Sequence, residues 1–295
     1  MAQRELKDLV IGVYSNYKYD DVKPWIHSLK DTGFKGDIVL IAVGVVDEVE
    51  MIEEHGVQVI NVPSTPNRMI HMERFLHIYE FLKNNDYRYV VSTDVRDVIF
   101  QLNPIEYLAN EMSNHILVAG EAIAIKDEHW NRDNIRKNFG ENFYNDIKDR
   151  EVCNVGILAG EAHYLQELCF YLYQMSLNRP DWVADQAAYN IIVNHSPWLE
   201  LADQTRLCDG WAINAHVTNY EPDMEKFGPF LLEQRPVFKD GYVLDGKTKK
   251  PFYIVHQYDR VREWKKFYEE KYQVKIKSQY TPDYTPGEII IRTDV

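Results

Sequence analysis

Short runs of β-branched residues alternate with longer amphipathic stretches through the first third of the chain, and this alternation limits the possible folds more than any other feature. Asp8 to Tyr14 (DLVIGVY), Asp37 to Val43 (DIVLIAV), Val57 to Val62 (VQVINV) and Tyr87 to Asp94 (YRYVVSTD) have the Val/Ile character of strands buried on both faces. Helical stretches near residues 20–32, 47–55 and 66–84 separate them. In the last of these Met72, Phe75, Leu76, Tyr79 and Leu82 recur at helical spacing, giving an apolar stripe that can pack on a sheet, and Asn84-Asn85-Asp86 stops the helix. Strand, helix, strand in this order reads as α/β: a mostly parallel central sheet flanked by helices.

Past residue 100 the pattern loosens. Ile116 to Ala119 is a further strand, a polar stretch of some thirty residues follows, and Cys153 to Gly160 (CNVGILAG) is strand again. Helices are expected over Glu161 to Asn178, ending before Arg179-Pro180, and from Ala184 to His195. Residues 200–250 are turn-rich, irregular apart from a hairpin around Asp240-Gly241. A strand from Phe252 to His256 leads into a basic, aromatic helix from Arg260 to Tyr272, and the tail after Ser278 is extended. No repeat or flexible linker divides the chain. The expectation is one domain over 1–278 with a more irregular C-terminal half, and a tail over 279–295.

The 295 residues suffice for an ample core, and the net charge of −13 with no Lys/Arg-rich run argues against nucleic acid as a partner. No stretch approaches the ~18 uninterrupted apolar residues of a membrane span, and the first residues lack the apolar core of a secretory signal. Three cysteines, Cys153, Cys169 and Cys208, form no ligand-spaced pair and suit a reducing compartment. The expected location is cytoplasmic.

Ligands of open α/β sheets sit beyond the carboxyl ends of the strands, so the residues there are the candidates for chemistry. Strand ends supply Val13-Tyr14-Ser15-Asn16, Thr93-Asp94-Val95-Arg96-Asp97, Cys153-Asn154-Val155-Gly156 and His256-Gln257-Tyr258-Asp259-Arg260. Asp94, with Asp97 three positions on, offers the carboxylate oxygens that Mg²⁺ or Mn²⁺ prefers, and His256 offers an imidazole that Mn²⁺ accepts. The plain alternative is a turn cap, a surface pair of Asp97 with Arg96, and a core histidine. Arg68 and Arg74, off the apolar stripe of their helix, and Arg96 could hold a diphosphate through the guanidinium fork; Arg74, among apolar neighbours, is poorly placed to remain unpaired. Asp185-Gln186 opens a helix and offers an acid and an amide to sugar hydroxyls, while Glu121 and Asp209 are further acids near strand ends or turns. Trp130, Trp182, Trp198 and Trp211 could floor a sugar cleft or simply pack in the core.

Taken in order, VYSNY, VVSTDVRDVIFQ, CNVGILAG, DQAAYN and YIVHQYDR resemble the motifs of nucleotide-sugar-dependent glycosyltransferases of the GT-A fold, especially the retaining group that includes glycogenin and lipopolysaccharide galactosyltransferases. The resemblance runs from about residue 9 to 260. It implies a nucleotide-binding part over about 1–110 and a sugar and acceptor part over about 111–278. It implies a UDP-sugar donor and a glycan or other hydroxyl acceptor, with Mn²⁺ or Mg²⁺ as cofactor. By the same resemblance Val13, Tyr14 and Asn16 lie near the base and ribose; Thr93, at its strand end, and Arg74 and Arg96, for their guanidinium chemistry, are counted with them as donor-binding residues. Asp94 and His256 are metal ligands, Asn154 and Gly156 lie beside the sugar, and Asp185 and Gln186 lie near the reacting carbon. One position departs: Arg96 stands where the family has its second metal acid, and Asp97 follows it. Either Asp97 coordinates the ion or Arg96 faces the diphosphate. A nucleotidyltransferase is the enzymatic alternative, without the Gly-rich loop expected after its first strand; a non-catalytic sugar-binding or scaffold module is the other.

Overall fold

A computed structural model describes residues 6–65, 68–181 and 183–275. The tail after Ser278 and Trp182 lie outside the described residues.

Seven strands form the main sheet: β1 (Leu9–Tyr14), β2 (Asp37–Val43), β3 (Gln58–Val62), β4 (Tyr89–Thr93), β6 (Ile116–Ala124), β7 (Glu151–Glu161) and β8 (Ala202–Thr205). Their order is β3-β2-β1-β4-β7-β6-β8. The first four are mutually parallel, β6 and β8 run with them, and β7 alone opposes, pairing antiparallel with both β4 and β6. A smaller sheet, in the order β5-β12-β9, joins β5 (Val98–Phe100), β9 (Ala212–Asn214) and β12 (Ile254–His256). The fold is α/β, a mostly parallel sheet between helices, as the alternation of runs predicts.

The two faces of the sheet are covered separately. Helix Tyr19–Asp31 packs Val22, Trp25, Ile26 and Leu29 against one face with Tyr14, Leu40 and Val91. Helices Ile70–Lys83, Ala162–Ser176 and Ala184–Val193 cover the other, where Phe75, Leu165, Leu172 and Tyr189 meet Ile11, Val39 and Leu158. The stop after Lys83 works as expected: the side-chain amides of Asn84 and Asn85 donate to the carbonyls of Glu80 and Phe81, satisfying the last turn.

Several expectations need correction. The helix expected over 66–84 begins at Ile70, so Arg68 precedes it, exposed, with its guanidinium over the Tyr173 ring. The strand at Ile116 continues to Ala124, and the polar stretch beyond it is two helices, His129–Phe139 and Glu141–Ile147. The first of these turns Asn131, Asn134, Ile135 and Asn138 inward, so its buried face is mostly amide and has no apolar period to read. The turn-rich segment contains β8, β9 and the expected hairpin, formed by β10 (Val237–Lys239) and β11 (Tyr242–Leu244). Asp240 and Gly241 both have positive φ (52° and 82°), the geometry a two-residue hairpin requires.

Candidate functional site

The reversal of β7 builds the site. Because β7 opposes β4, its early residues lie beside the end of β4, and the Asp94 amide donates to the Gly156 carbonyl at 2.8 Å. Gly12 on β1 has no side chain to obstruct the acidic turn, since a Cβ there would collide with Val95. The smaller sheet then brings in the imidazole. β12 pairs His256 with Val98 of β5, and the Gln257 amide donates to the Asp97 carbonyl at 2.6 Å.

Asp94, Asp97 and His256 thereby converge, each with one ligand-type atom, and these atoms all lie within 4.8 Å of one another. His256 Nε2 is 3.4 Å from Asp94 Oδ2 and 3.7 Å from Asp97 Oδ2. On its other side His256 Nδ1 donates to Asn214 Oδ1 at 2.7 Å, across the β9–β12 pairing, so Nε2 is left facing the two carboxylates. Two carboxylate oxygens and one imidazole nitrogen at this spacing fit a small divalent cation with room for further ligands. Burial works against a charged imidazole at His256, but Asp97 and Asp94 outweigh it and raise the ring's pKa.

Arg74 reaches in from helix Ile70–Lys83. Its guanidinium donates to Asp94 and, at 3.1 Å, to Asp185 Oδ2, and it lies over the Phe75 ring. Burial alone would raise the Asp94 carboxyl, yet Arg74 and then His256 hold it well below the usual carboxylate range. Asp185 is deeper, and there burial prevails over Arg74 and raises its pKa. Among the described residues Asp185 Oδ1 and the Tyr14 hydroxyl at the end of β1 are buried with no hydrogen-bond partner. Asn16, just beyond, has a positive φ of 59° and is exposed. Val13 lines a small void with Arg74, Thr93 and Gly156.

Other expected residues are engaged by the protein itself. The Thr93 hydroxyl accepts from Trp25 Nε1 at 2.8 Å. Asn154 Oδ1 accepts the Gly156 amide at 2.8 Å, and its Nδ2 donates to Glu121 at 2.6 Å. Burial pushes the Glu121 carboxyl up to about 7 despite that bond. Gln186 Oε1 accepts the Val155 amide and Nε2 donates to the Cys153 carbonyl and to Asn131; one turn on, Asn190 both accepts from and donates to the Cys153 backbone. β4 ends opposite Ile157, and beyond that point these two amides satisfy backbone groups of Cys153 and Val155.

Arg96 forms no ion pair with Asp94 or Asp97 among the described residues. It is buried, its guanidinium lies over the Tyr17 ring, and Asp259 is 3.8 Å away. The plain surface pairing of Arg96 with Asp97 is therefore not what forms. Asp209 caps the turn Leu207–Asp209 by accepting from the Arg206 amide. Trp198 and Trp211 are core residues and Trp130 is exposed. Sequence reasoning missed Asn214, Asn131 and Asn190, whose roles follow from pairings between distant segments.

No family model matches the chain, and no curated protein matches it in sequence. Solved structures match it in fold. The bifunctional glycosyltransferase WbbM superposes with a TM-score of 0.57 at 13% identity over 91% of this chain, which spans 50% of that protein. Mouse xyloside xylosyltransferase 1 gives 0.51 at 12% identity, covering 84% of this chain and 97% of the other. The glycosyltransferase GlyE of Streptococcus pneumoniae gives 0.51 at 13% identity, covering 93% and 66%. At such identities the likeness is one of architecture: this chain has the fold of these glycosyltransferases.

Proposed function

We propose that the protein is a glycosyltransferase that moves a sugar from a nucleotide diphosphate sugar, most simply a UDP-sugar, to a hydroxyl of a glycan or other acceptor. The observation that carries this reading is the convergence of Asp94, Asp97 and His256 at the mouth of the sheet, next to Arg74 and Asp185. Two acids and an imidazole suit Mn²⁺ or Mg²⁺, which when bound supplies positive charge against the two phosphates.

The chain's own residues do the rest. Val13, Tyr14 and Asn16, at and just beyond the end of β1, take the base and ribose. Thr93 anchors the strand end behind the donor through Trp25. Arg74, fixed by two carboxylates, meets the charge that develops on the departing diphosphate. Arg96, paired toward Asp259, acts by holding the turn that presents Asp97. Asn154 and Gly156 border the sugar. Asp185 lies under its reacting carbon, and Gln186 keeps the Val155–Gly156 backbone in place.

In the transfer the bond from the anomeric carbon to the phosphate oxygen breaks and one to the acceptor oxygen forms. We read the reaction as retaining, after the resemblance of the motifs. The departing phosphate oxygen then accepts the acceptor's proton on the same face, and Asp185 stabilises the positive charge of the sugar. In this reading residues 1–110 are the nucleotide half and 111–278 the sugar and acceptor half of one domain.

Titration of UDP with and without Mn²⁺, followed by assays of UDP release from a panel of UDP-sugars, tests the reading. Metal-dependent UDP binding and slow release from one donor are expected. A chain that binds no UDP and cleaves no donor would sink it.

A further inference from the structure

Away from the strand ends, a second set of side chains with metal-binding chemistry converges between helix Tyr19–Asp31 and the turn that leads into β3. The Tyr19 hydroxyl is within hydrogen-bond reach of two imidazoles at once, His27 Nε2 at 3.0 Å and His55 Nε2 at 2.6 Å. His27 lies on the same helix as Tyr19, whereas His55 belongs to the connection between β2 and β3. Two separate parts of the chain thus aim the same ring nitrogen at one oxygen. The hydroxyl has a single proton and can donate it to only one of them, so the other nitrogen must itself act as the donor. The two rings meet edge-on with centroids 4.6 Å apart; both are half-buried, while Tyr19 is buried. The backbone holds His55 in place, its amide donating to the Ile52 carbonyl at 3.1 Å and its carbonyl accepting from Lys30 Nζ at 2.8 Å. Burial, His55, Lys23 and Lys30 together lower the His27 pKa against the pull of Asp31, which keeps the ring in its neutral, ligating form. The charged groups near the trio are of both signs, Lys23 and Lys30 against Asp20, Glu54 and Asp31. Imidazole coordinates through a lone pair and needs no negative surroundings, as zinc centres built on three neutral histidines demonstrate.

We propose that His27 and His55, with the Tyr19 oxygen between them, bind one divalent ion of the imidazole-preferring class, Zn²⁺ before all, and that this ion clips helix Tyr19–Asp31 to the connection between β2 and β3. Two imidazoles and a phenol select differently from the cluster at Asp94, where two carboxylates to one imidazole suit Mn²⁺ or Mg²⁺. On binding, each ring keeps its remaining proton on Nδ1 and turns the Nε2 lone pair to the ion, and water completes the coordination. The clip is independent of glycosyl transfer.

Calorimetric titration of the untagged full-length chain with Zn²⁺, after removal of metals by EDTA, tests the clip. A binding event is expected that persists in Asp94→Asn, weakens about tenfold in His27→Gln and disappears in His27→Gln/His55→Gln. Glutamine can still hydrogen-bond the Tyr19 hydroxyl, so in EDTA the double variant should melt like the parent. A second measurement needs no variant: ethoxyformylation of histidines by diethyl pyrocarbonate, located by peptide mass. Zn²⁺ at ten times its dissociation constant should slow modification of His27 and His55 about tenfold, and Mg²⁺ at the same concentration should not. The proposal is overturned if the parent binds no Zn²⁺, if binding is unchanged in the double variant or lost in Asp94→Asn, or if the two histidines react equally fast with and without Zn²⁺.

Discussion

A methyl group at Gly156 would meet three parts of the site at once: His256 Cε1, Asn154 Oδ1 at 2.8 Å and Asp94 Oδ2 at 2.9 Å. Backbone bonds on either side leave the glycine little room to retreat, since its amide is held by Asn154 and its carbonyl by Asp94. Gly156→Ala is therefore expected to reduce UDP release by about 100-fold through sub-ångström misplacement, with a cooperative melt retained in circular dichroism. At the acid cluster, Mn²⁺ should raise the melting temperature of the parent chain and leave Asp94→Asn unmoved, in a calorimetric titration of metal at fixed protein. Asp94 and His256 were legible because each stands at the carboxyl end of a strand, Asp97 because it follows Asp94 by three positions, and all three because their order matches a known set. The direction of Arg96 was not, because it depends on Tyr17 and Asp259, which are remote in sequence and carry no pattern that joins them.

Helix Ala184–Val193 shows how an element can look ordinary in sequence and have a special task in the fold. Its ten residues are all buried, and Gln186 and Asn190, one turn apart, face β7 with amides where strand neighbours are missing. Asn190→Ala leaves the Cys153 amide without its partner at a fully buried position. A loss of about 1–3 kcal/mol in urea unfolding is expected, larger than for an alanine substitution at an exposed helical site. Strands β1, β2 and β4 and the helices between them were readable from their apolar periods. The helix His129–Phe139 was not, because its inward residues are asparagines held by side-chain bonds: Asn131 to Gln186 and Glu128, Asn134 to Val183, and Asn138 to Asn134. Hydropathy cannot distinguish a buried amide from a wet one. β8 and β9, with four and three residues, are too short to establish a period at all.

Across the whole molecule, several acids are buried more deeply than their partners compensate. Burial pushes Glu151 and Glu121 to about 7 and Asp259 to about 6. Glu151 has an ordinary value of 4.5, so the folded chain holds its proton more tightly than the unfolded chain does. Stability from this group is therefore full below about 4.5 and is lost as pH rises toward 7, and the other two acids slope the same way. Glu151→Gln keeps an oxygen for the Ala122 amide and removes the charge, so it should melt higher than the parent at pH 8 and show a shallower fall between pH 5 and 8 in differential scanning calorimetry. Among the described residues no helix is long and apolar enough to cross a membrane.

The placement of β7 against β4 has one more consequence. The candidate site draws on positions 74, 94, 97, 154, 156, 185 and 256, and the last of these arrives only when the smaller sheet closes on the acidic turn. No fragment that stops short of position 256 contains the whole constellation. Partly assembled molecules should thus be silent, and turnover during refolding should appear with the slowest tertiary signal, lagging behind recovery of helix. Activity in this architecture serves as a clock for the completion of the fold.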